Sequence, residues 1–476
     1  MKVLLLNPPA AGGIRYVREG RCEQRVSSFQ YNMPPISLLT TAALLRREGH
    51  KVLVVDAVAE HLAPPAVVAA AAAFAPGLVL VNVATATFPS DARTAEALRA
   101  ALPGAFIAAY GIHVTALPGE SLREAPALDA VIRREPEATA AELAARLAAS
   151  ESPATVAGIS WRTSEGLQHN DDRHFIEDLD ALPFPALDLV DPRRYPAPVD
   201  GRPHTLVITS RGCPHRCTFC TAHLYYGTKP RLRDPARIAA EIEVAAREHG
   251  LRLFTFWADT FTIDRGQVLG ICREIRRRAL GIEWMANARV DCVDRELLGQ
   301  MREAGCTIVS FGVESGAQEI LDRTRKGVRV EQIEEAFAAC RAVGLRSAAH
   351  VILGLPGETP ATIRETLRLV RRLRPSFVQF YGAVPFPGTA FHREATEHGW
   401  IVARDWSDYE INRGIVSTPD LSAGALRSWR RRAYLSIYLA PRFLAENLGR
   451  VRSARELFRL ARAGIGLFRG WVFPGK

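Results

Sequence analysis

Along the first 150 residues, short unbroken apolar runs alternate with segments whose apolar residues recur at helical spacing. VLLLN (3–7), KVLVVD (51–56), LVLVNV (78–83), AFIAAY (105–110) and LDAVI (128–132) predict strands. LLTTAALLRREGH (38–50) and DARTAEALRAALPG (91–104) predict helices between them. Strands that are apolar throughout, rather than at every second residue, are buried on both faces, which implies a parallel sheet between two helical layers. Residues 1–150 therefore predict a doubly wound, Rossmann-like α/β domain with its ligand beyond the strand C-termini. The rhythm stops over 151–204. VAGISWR (156–162) reads as one further strand, and the Pro- and Asp-rich stretch after it as an extended linker.

A second βα series starts at 205, with TLVITS (205–210), LFTFWAD (253–259), IEWMANARV (282–290), TIVSFGV (307–313), AAHVILGL (348–355) and FVQFYGAV (377–384) as strands. Six such units over 205–395 predict a partial (β/α)6 TIM-type barrel with its chemistry at the strand C-termini. Residues 396–476 predict a helical, basic C-terminal extension. The most apolar long segment, 66–88, is broken by Pro76-Gly77 and reads as an Ala-rich helix, a turn and a strand rather than a membrane span.

Charge changes the picture in one place. Residues 427–476 hold twelve Lys or Arg against two Asp or Glu, so this segment alone carries the net charge of +10. With no basic stripe elsewhere, a nucleic-acid partner is not expected. The basic, aromatic-rich tail suits either a helical cap on the barrel or peripheral contact with an anionic membrane. Of eight cysteines, three cluster and five scatter, which argues against a secreted disulfide framework and for a reducing cytoplasm.

The clustered cysteines lie in SRGCPHRCTFC (210–220), directly after the first barrel strand. Cys213, Cys217 and Cys220 could hold zinc with His215 or His223, or an iron–sulfur cluster. The spacing CxxxCxxC, with Phe219 before the last cysteine, resembles the radical S-adenosylmethionine (SAM) superfamily. That resemblance implies a [4Fe–4S] cluster held through three irons, the fourth being open to the amino and carboxylate groups of SAM. An external donor, flavodoxin or ferredoxin, would supply the electron that cleaves SAM to methionine and a 5′-deoxyadenosyl radical. Further pieces fit the same family strand by strand. Asp259 in FWADTF would bind the SAM amino group and Arg289 its carboxylate. Glu314 and Ser315 in GVESG would contact ribose or methionine, and Gly354 in VILGLPGE would lie along adenine.

No GxGxxG follows a strand in the front domain, and there is no GxxxxGK[ST]. The domain instead resembles the cobalamin-binding domain that precedes many radical SAM enzymes. The pieces are LLLNPP with Asn7 and Pro8, NVATAT with Thr85 and Thr87, AYGIHVTALPGE with Gly111 and His113, and DAVIRREPEAT with Glu135. Tyr110 stands where the family has glycine, and Arg134 and Pro136 replace small residues around Glu135. The DxHxxG motif is missing, and the family's counterpart of His113 is not generally the cobalt ligand. Arg18, Arg21 and Cys22, in the basic stretch 15–38, are candidates for contact with an anionic substrate or cobalamin's side chains, with Cys22 a candidate reactive thiol in that basic setting.

The layout is similar to class B radical SAM methyltransferases and anaerobic magnesium-protoporphyrin cyclases. It implies methylation of an unactivated carbon on a small, hydrophobic or lipid-like substrate. Radical ring contraction or cyclisation of a lipid-like or tetrapyrrole-like substrate is the alternative within the same family. A non-catalytic cobalamin- or zinc-binding sensor or membrane adaptor is the alternative of another class.

Overall fold

In a computed structural model, the described residues are 1–9, 15–19, 24–25, 32–197 and 201–448. The front sheet contains β1 (Lys2–Asn7), β2 (Lys51–Asp56), β3 (Leu78–Asn82), β4 (Phe106–Tyr110), β5 (Ala130–Ile132), β6 (Ile159–Thr163) and β7 (Gly166–His169), in the order β2-β1-β3-β4-β5-β6-β7. The first five strands are parallel, and their side chains are almost wholly buried, as their unbroken apolar character requires. The order reverses between β1 and β3, so the loops after these strands open a crevice at their C-terminal ends.

The linker expected from 151 begins later. β6 and β7 form an antiparallel hairpin that extends the front sheet to residue 169. β7, GLQH, is an exposed polar edge strand, so it carries no apolar run by which a sequence reading would find it. Residues 170–197 are then strapped to both domains: Tyr195 donates to Asp56 at 2.9 Å and the Ala186 amide to the Leu39 carbonyl at 3.1 Å on the front-domain side, and Arg233 of the barrel domain donates to Asp180 at 3.1 Å.

The second sheet is β8 (His204–Ile208), β9 (Leu253–Trp257), β10 (Glu283–Ala288), β11 (Cys306–Glu314), β12 (Arg346–Leu353) and β13 (Phe377–Gly382). All six are parallel and lie in chain order, the partial barrel expected from the six βα units. On β10 to β13 fully buried residues alternate with half-buried ones, the former packing on the outer helices and the latter lining the lumen.

A helix, Ala423–Tyr438, covers the free edge of β13. Tyr438 Oη accepts from the Val378 amide at 3.1 Å, Tyr434 Oη accepts from the Phe380 amide at 3.0 Å, and the Gly382 amide donates to the Ile411 carbonyl at 2.7 Å. The first part of the basic segment is thus a barrel cap, and residues 449–476 lie outside the described residues. Among the described residues no helix is long and apolar enough to cross a membrane. The segment at 66–88 is divided between a helix, Pro64–Phe74, and β3.

Candidate active site

A cavity of about 420 Å³ lies at the C-terminal mouth of the barrel. Its wall includes Cys213, Cys217 and Cys220 on one side and Val17, Glu19 and Met33 of the front domain on another. The cysteine loop leaves β8 through Gly212, whose φ of +90° suits glycine and whose missing Cβ would overlap the Lys229 carbonyl. The Gly212 amide donates to Asp259 at 2.9 Å, and Cys213 Sγ lies 3.6 Å from Thr260 Oγ1. Asp259, expected to meet the SAM amino group, thus also fixes the cysteine loop.

None of the three cysteines forms a disulfide, and burial pushes Cys217 up to about 11. A thiolate there needs a bound cation to hold it ionised. Among the described residues no three His, Cys, Asp or Glu converge on a single-ion position. Three cysteines that share one cavity wall match the donor set of a multi-iron cluster, which spreads its thiolates over different irons.

The SAM-side residues divide into two groups. Phe219, Asp259, Arg289 and Glu314 line the cavity, whereas Ser315 and Gly354 do not. Glu314 sits at a register shift in β11 with φ of +60°, a bend that brings its carboxylate to Lys326 Nζ at 2.7 Å. Gly312 leaves room for this pair, since a Cβ there would overlap both Glu314 and Lys326. Beyond the bend, Ser315 is fully buried and its hydroxyl lies 3.2 Å from Thr366 Oγ1. The Gly354 amide donates to Glu358, and the space for a Cβ is filled by Leu426. Arg289 makes two bonds of 2.9 Å to Asp291 and one of 3.0 Å to the Lys326 carbonyl, so it faces the cavity as a paired cation.

In the front domain, Asn7 accepts from Asn82 at 2.9 Å and donates to Asp56 at 3.4 Å at the ends of β1 and β3. Thr85 and Thr87 are buried in the turn after β3. Thr87 donates to Asp91 at 2.7 Å and accepts from Arg18 at 2.8 Å. Gly111 follows β4 with φ of +135°, and a Cβ there would overlap the Val83 carbonyl. Nδ1 of His113 is buried without a hydrogen-bond partner, and the ring lies between Phe88 and Trp406 at 4.4 and 4.9 Å. Burial lowers His113 to about 3, so the ring is neutral. A close-approach glycine, a row of small strand-end residues and an orphaned ring nitrogen fit a large ligand laid on the strand ends.

Two expectations change. Arg18 is not presented to an anionic substrate: it pairs with Asp91 at 2.7 and 2.8 Å and donates to the Pro8 and Asn82 carbonyls. Glu135 is likewise occupied, by Arg211 at 3.0 Å, Arg231 at 2.9 Å and the Ile176 amide at 2.9 Å. It ties the domains together through long-range partners that were not visible in sequence. Arg21 and Cys22 lie outside the described residues. Residues that sequence reading missed include Lys326 and the lumen residues His350, Gln379 and Tyr381. The lone polar residue of AAHVILGL, and Gln379 and Tyr381 set two apart in FVQFYGAV, were the available signal.

A parallel barrel with a three-cysteine loop at its mouth, facing the ligand crevice of a doubly wound domain, defines a two-domain, cofactor-dependent α/β enzyme. The Radical SAM superfamily pattern matches residues 207–370 and the B12 binding domain matches residues 25–144. The chain thus contains a radical SAM domain and a B12-binding domain, and the cofactors these imply are a [4Fe–4S] cluster, SAM and cobalamin. It is similar to an uncharacterized methyltransferase of Pyrococcus horikoshii, 29% identical over 448 residues, 94% of this chain and 95% of the relative. An anaerobic magnesium-protoporphyrin IX monomethyl ester cyclase of Rubrivivax gelatinosus is 27% identical over 87% of this chain and 75% of its own. In fold it resembles the cobalamin-dependent radical enzyme OxsB (TM-score 0.76, 17% identity, 100% of this chain and 73% of that one). It also resembles the methyltransferase TsrM of Kitasatospora setae (TM-score 0.72, 18% identity, 98% of each chain).

Proposed function

We propose that this enzyme is a cobalamin-dependent radical SAM methyltransferase that methylates an unactivated carbon of a small, largely apolar substrate held in the barrel lumen. One observation carries this reading: a single chamber is bounded by Cys213, Cys217 and Cys220 and by Val17, Glu19 and Met33 of the B12-binding domain. A substrate there lies within reach of both cofactor sites. When bound, the cofactors supply the hydrogen-abstracting radical and the methyl group, and the chain supplies orientation and a dry cavity.

Each group of residues has a task in this reading. The three cysteines hold the cluster. Asp259, Arg289 and the Glu314–Lys326 pair face the polar ends of SAM, and Phe219 packs beside it. Asn7, Pro8, Thr85, Thr87 and Gly111 shape the bed for cobalamin. Met285, Ile308 and Phe377 give the lumen an apolar wall that excludes water from a reactive centre.

The hopanoid C-3 methylase of Methylococcus capsulatus, 26% identical over 81% of this chain, supports an apolar substrate. Exposed Leu439 and Leu444 follow the capping helix and support peripheral membrane contact, tested by flotation with anionic vesicles. Similarity to the cyclases favours one second reading, radical ring closure without methyl transfer. The separating experiment is anaerobic reconstitution with iron, sulfide and cobalamin, followed by SAM labelled in its methyl group and a strong reductant. A methyltransferase forms 5′-deoxyadenosine and carries the label onto bound cobalamin. 5′-Deoxyadenosine with unlabelled cobalamin supports ring closure, and the absence of both overturns the radical reading.

A further inference from the structure

Glu19 lies where two cavities meet. It lines the chamber at the barrel mouth and also a smaller cavity, of about 40 Å³, over Asn82, Val83, Ala84 and Gly111 at the strand ends of the front domain. Thr221, the residue after Cys220, lines both as well. Each side chain has hydrogen-bonding capacity to spare. The first turn of the helix Ile36–Arg47 holds one oxygen of Glu19: the Ser37 hydroxyl donates to Oε1 at 2.6 Å and the Ser37 amide at 3.3 Å. The other oxygen, Oε2, makes no hydrogen bond among the described residues. Thr221 is 2% exposed, and its hydroxyl is buried without a hydrogen-bond partner.

The charges around Glu19 are committed elsewhere. Arg211 is within electrostatic reach but is bound by Glu135 and Glu137, and Arg18 is bound by Asp91. The other two acids that line the chamber among the described residues are served, Glu314 by Lys326 and Asp259 by the Gly212 amide. Burial, against only the two bonds from Ser37, pushes the Glu19 carboxyl up to about 7. A cation brought against Oε2 would reverse that shift, and the helix N-terminus behind Oε1 favours the same ionised form.

We infer that Glu19 and Thr221 form a recognition site for a protonated amino group of the substrate, with the ammonium paired to Glu19 Oε2 and donating a second hydrogen bond to Thr221 Oγ1. Met285, Ile308 and Phe377 of the same chamber take the apolar body of the molecule. The substrate class is therefore a small, mostly apolar primary amine whose amino end faces the B12-binding domain. This rests on the proposed function, in which the lumen holds the substrate.

The test is equilibrium dialysis of the anaerobically reconstituted holoenzyme, with SAM present to occupy its own site, against 2-naphthylmethylamine and its neutral counterpart 2-naphthylmethanol. The amine is expected to be retained about tenfold more tightly, the worth of one hydrogen bond to a charged group. Glu19→Gln keeps an oxygen for Ser37 and removes the charge. It should bring the amine to the level of the alcohol and leave the alcohol unchanged. Thr221→Val should weaken the amine about fivefold, the worth of one net hydrogen bond. No preference for the amine in the parent, a preference that survives Glu19→Gln, or a uniform loss of both probes in that variant would each overturn the inference. So would unchanged amine retention in Thr221→Val. Cobalamin absorbance is read on the same preparations, and its loss from Glu19→Gln would overturn the inference by assigning the carboxylate to the cofactor. Iron, sulfide and 5′-deoxyadenosine are measured alongside. Their absence would sink the radical reading, whereas the amine preference judges the chamber alone.

Discussion

Arg211 donates to Glu137 across the boundary between the two domains at 2.5 Å, with both side chains almost completely buried. Glu135 accepts from the same guanidinium at 3.0 Å and from Arg231 at 2.9 Å, so two acids and two arginines share one dry site. Glu137 lies in the first turn of the helix Pro136–Ala148, where a negative charge is favoured. Arg211 stands two residues before Cys213. The cysteine loop and the B12-binding domain are thus anchored to one another by charge.

Removing one member of such a cluster leaves an uncompensated buried charge. Arg211→Met should therefore destabilise the protein by about 3–5 kcal/mol, read as a lower urea midpoint. The variant should also retain less cobalamin and less iron. Arg277→Met, at an exposed pair on a barrel helix, should change the midpoint little.

Alanine at Cys213, Cys217 or Cys220 should abolish iron and acid-labile sulfide after anaerobic reconstitution. Alanine at Cys272 or Cys340, which are buried in the barrel core, should leave both unchanged. Zinc bound at full occupancy with no sulfide in the parent protein would contradict the cluster assignment.

Gly111→Ala would place a methyl group on the Val83 carbonyl in a backbone conformation that L-residues rarely adopt. The expected cost is about 2 kcal/mol, together with loss of cobalamin retention. Gly104→Ala, with open space around it, is the control. Urea unfolding and cobalamin absorbance after gel filtration measure the two effects.

His113 gives a pH dependence with a definite sign. Burial lowers its folded pKa from 6.5 to about 3, so the unfolded chain takes up the proton first. Stability from this group is complete above pH 6.5 and is lost as the pH falls towards 3, by up to about 1.4 kcal/mol per unit. His113→Phe, which keeps a ring between Phe88 and Trp406, should flatten the urea midpoint between pH 6.5 and 5 relative to the parent. Parallel slopes for the two proteins would contradict this.

Much of the architecture was readable because the first five strands of the front sheet are parallel and covered on both sides, and the second sheet is parallel throughout. Runs such as KVLVVD and LVLVNV cannot sit at a surface, and they mark β2 and β3 almost to the residue. The hairpin strand β7 escaped because its only apolar residue is the half-buried Leu167. Site residues were legible where a local motif places them, as with the cysteines. They were not legible where the fold supplies the partner. Arg18 reads as a free cation until Asp91, 73 residues away, is seen to hold it. Ser315 sits beside Glu314 in sequence, but the positive φ at Glu314 turns the next residue away from the lumen.

The covering of β13 by Tyr434 and Tyr438 has a consequence for association between molecules. A six-stranded parallel sheet that does not close presents the amides of its last strand at intervals of two residues, a template for a strand from another chain. Here the amides of Val378, Phe380 and Gly382 are each occupied, two by phenol oxygens and one by a backbone carbonyl. The barrel can remain open at its seam without inviting edge-to-edge polymerisation, and loss of both phenols would make that seam adhesive.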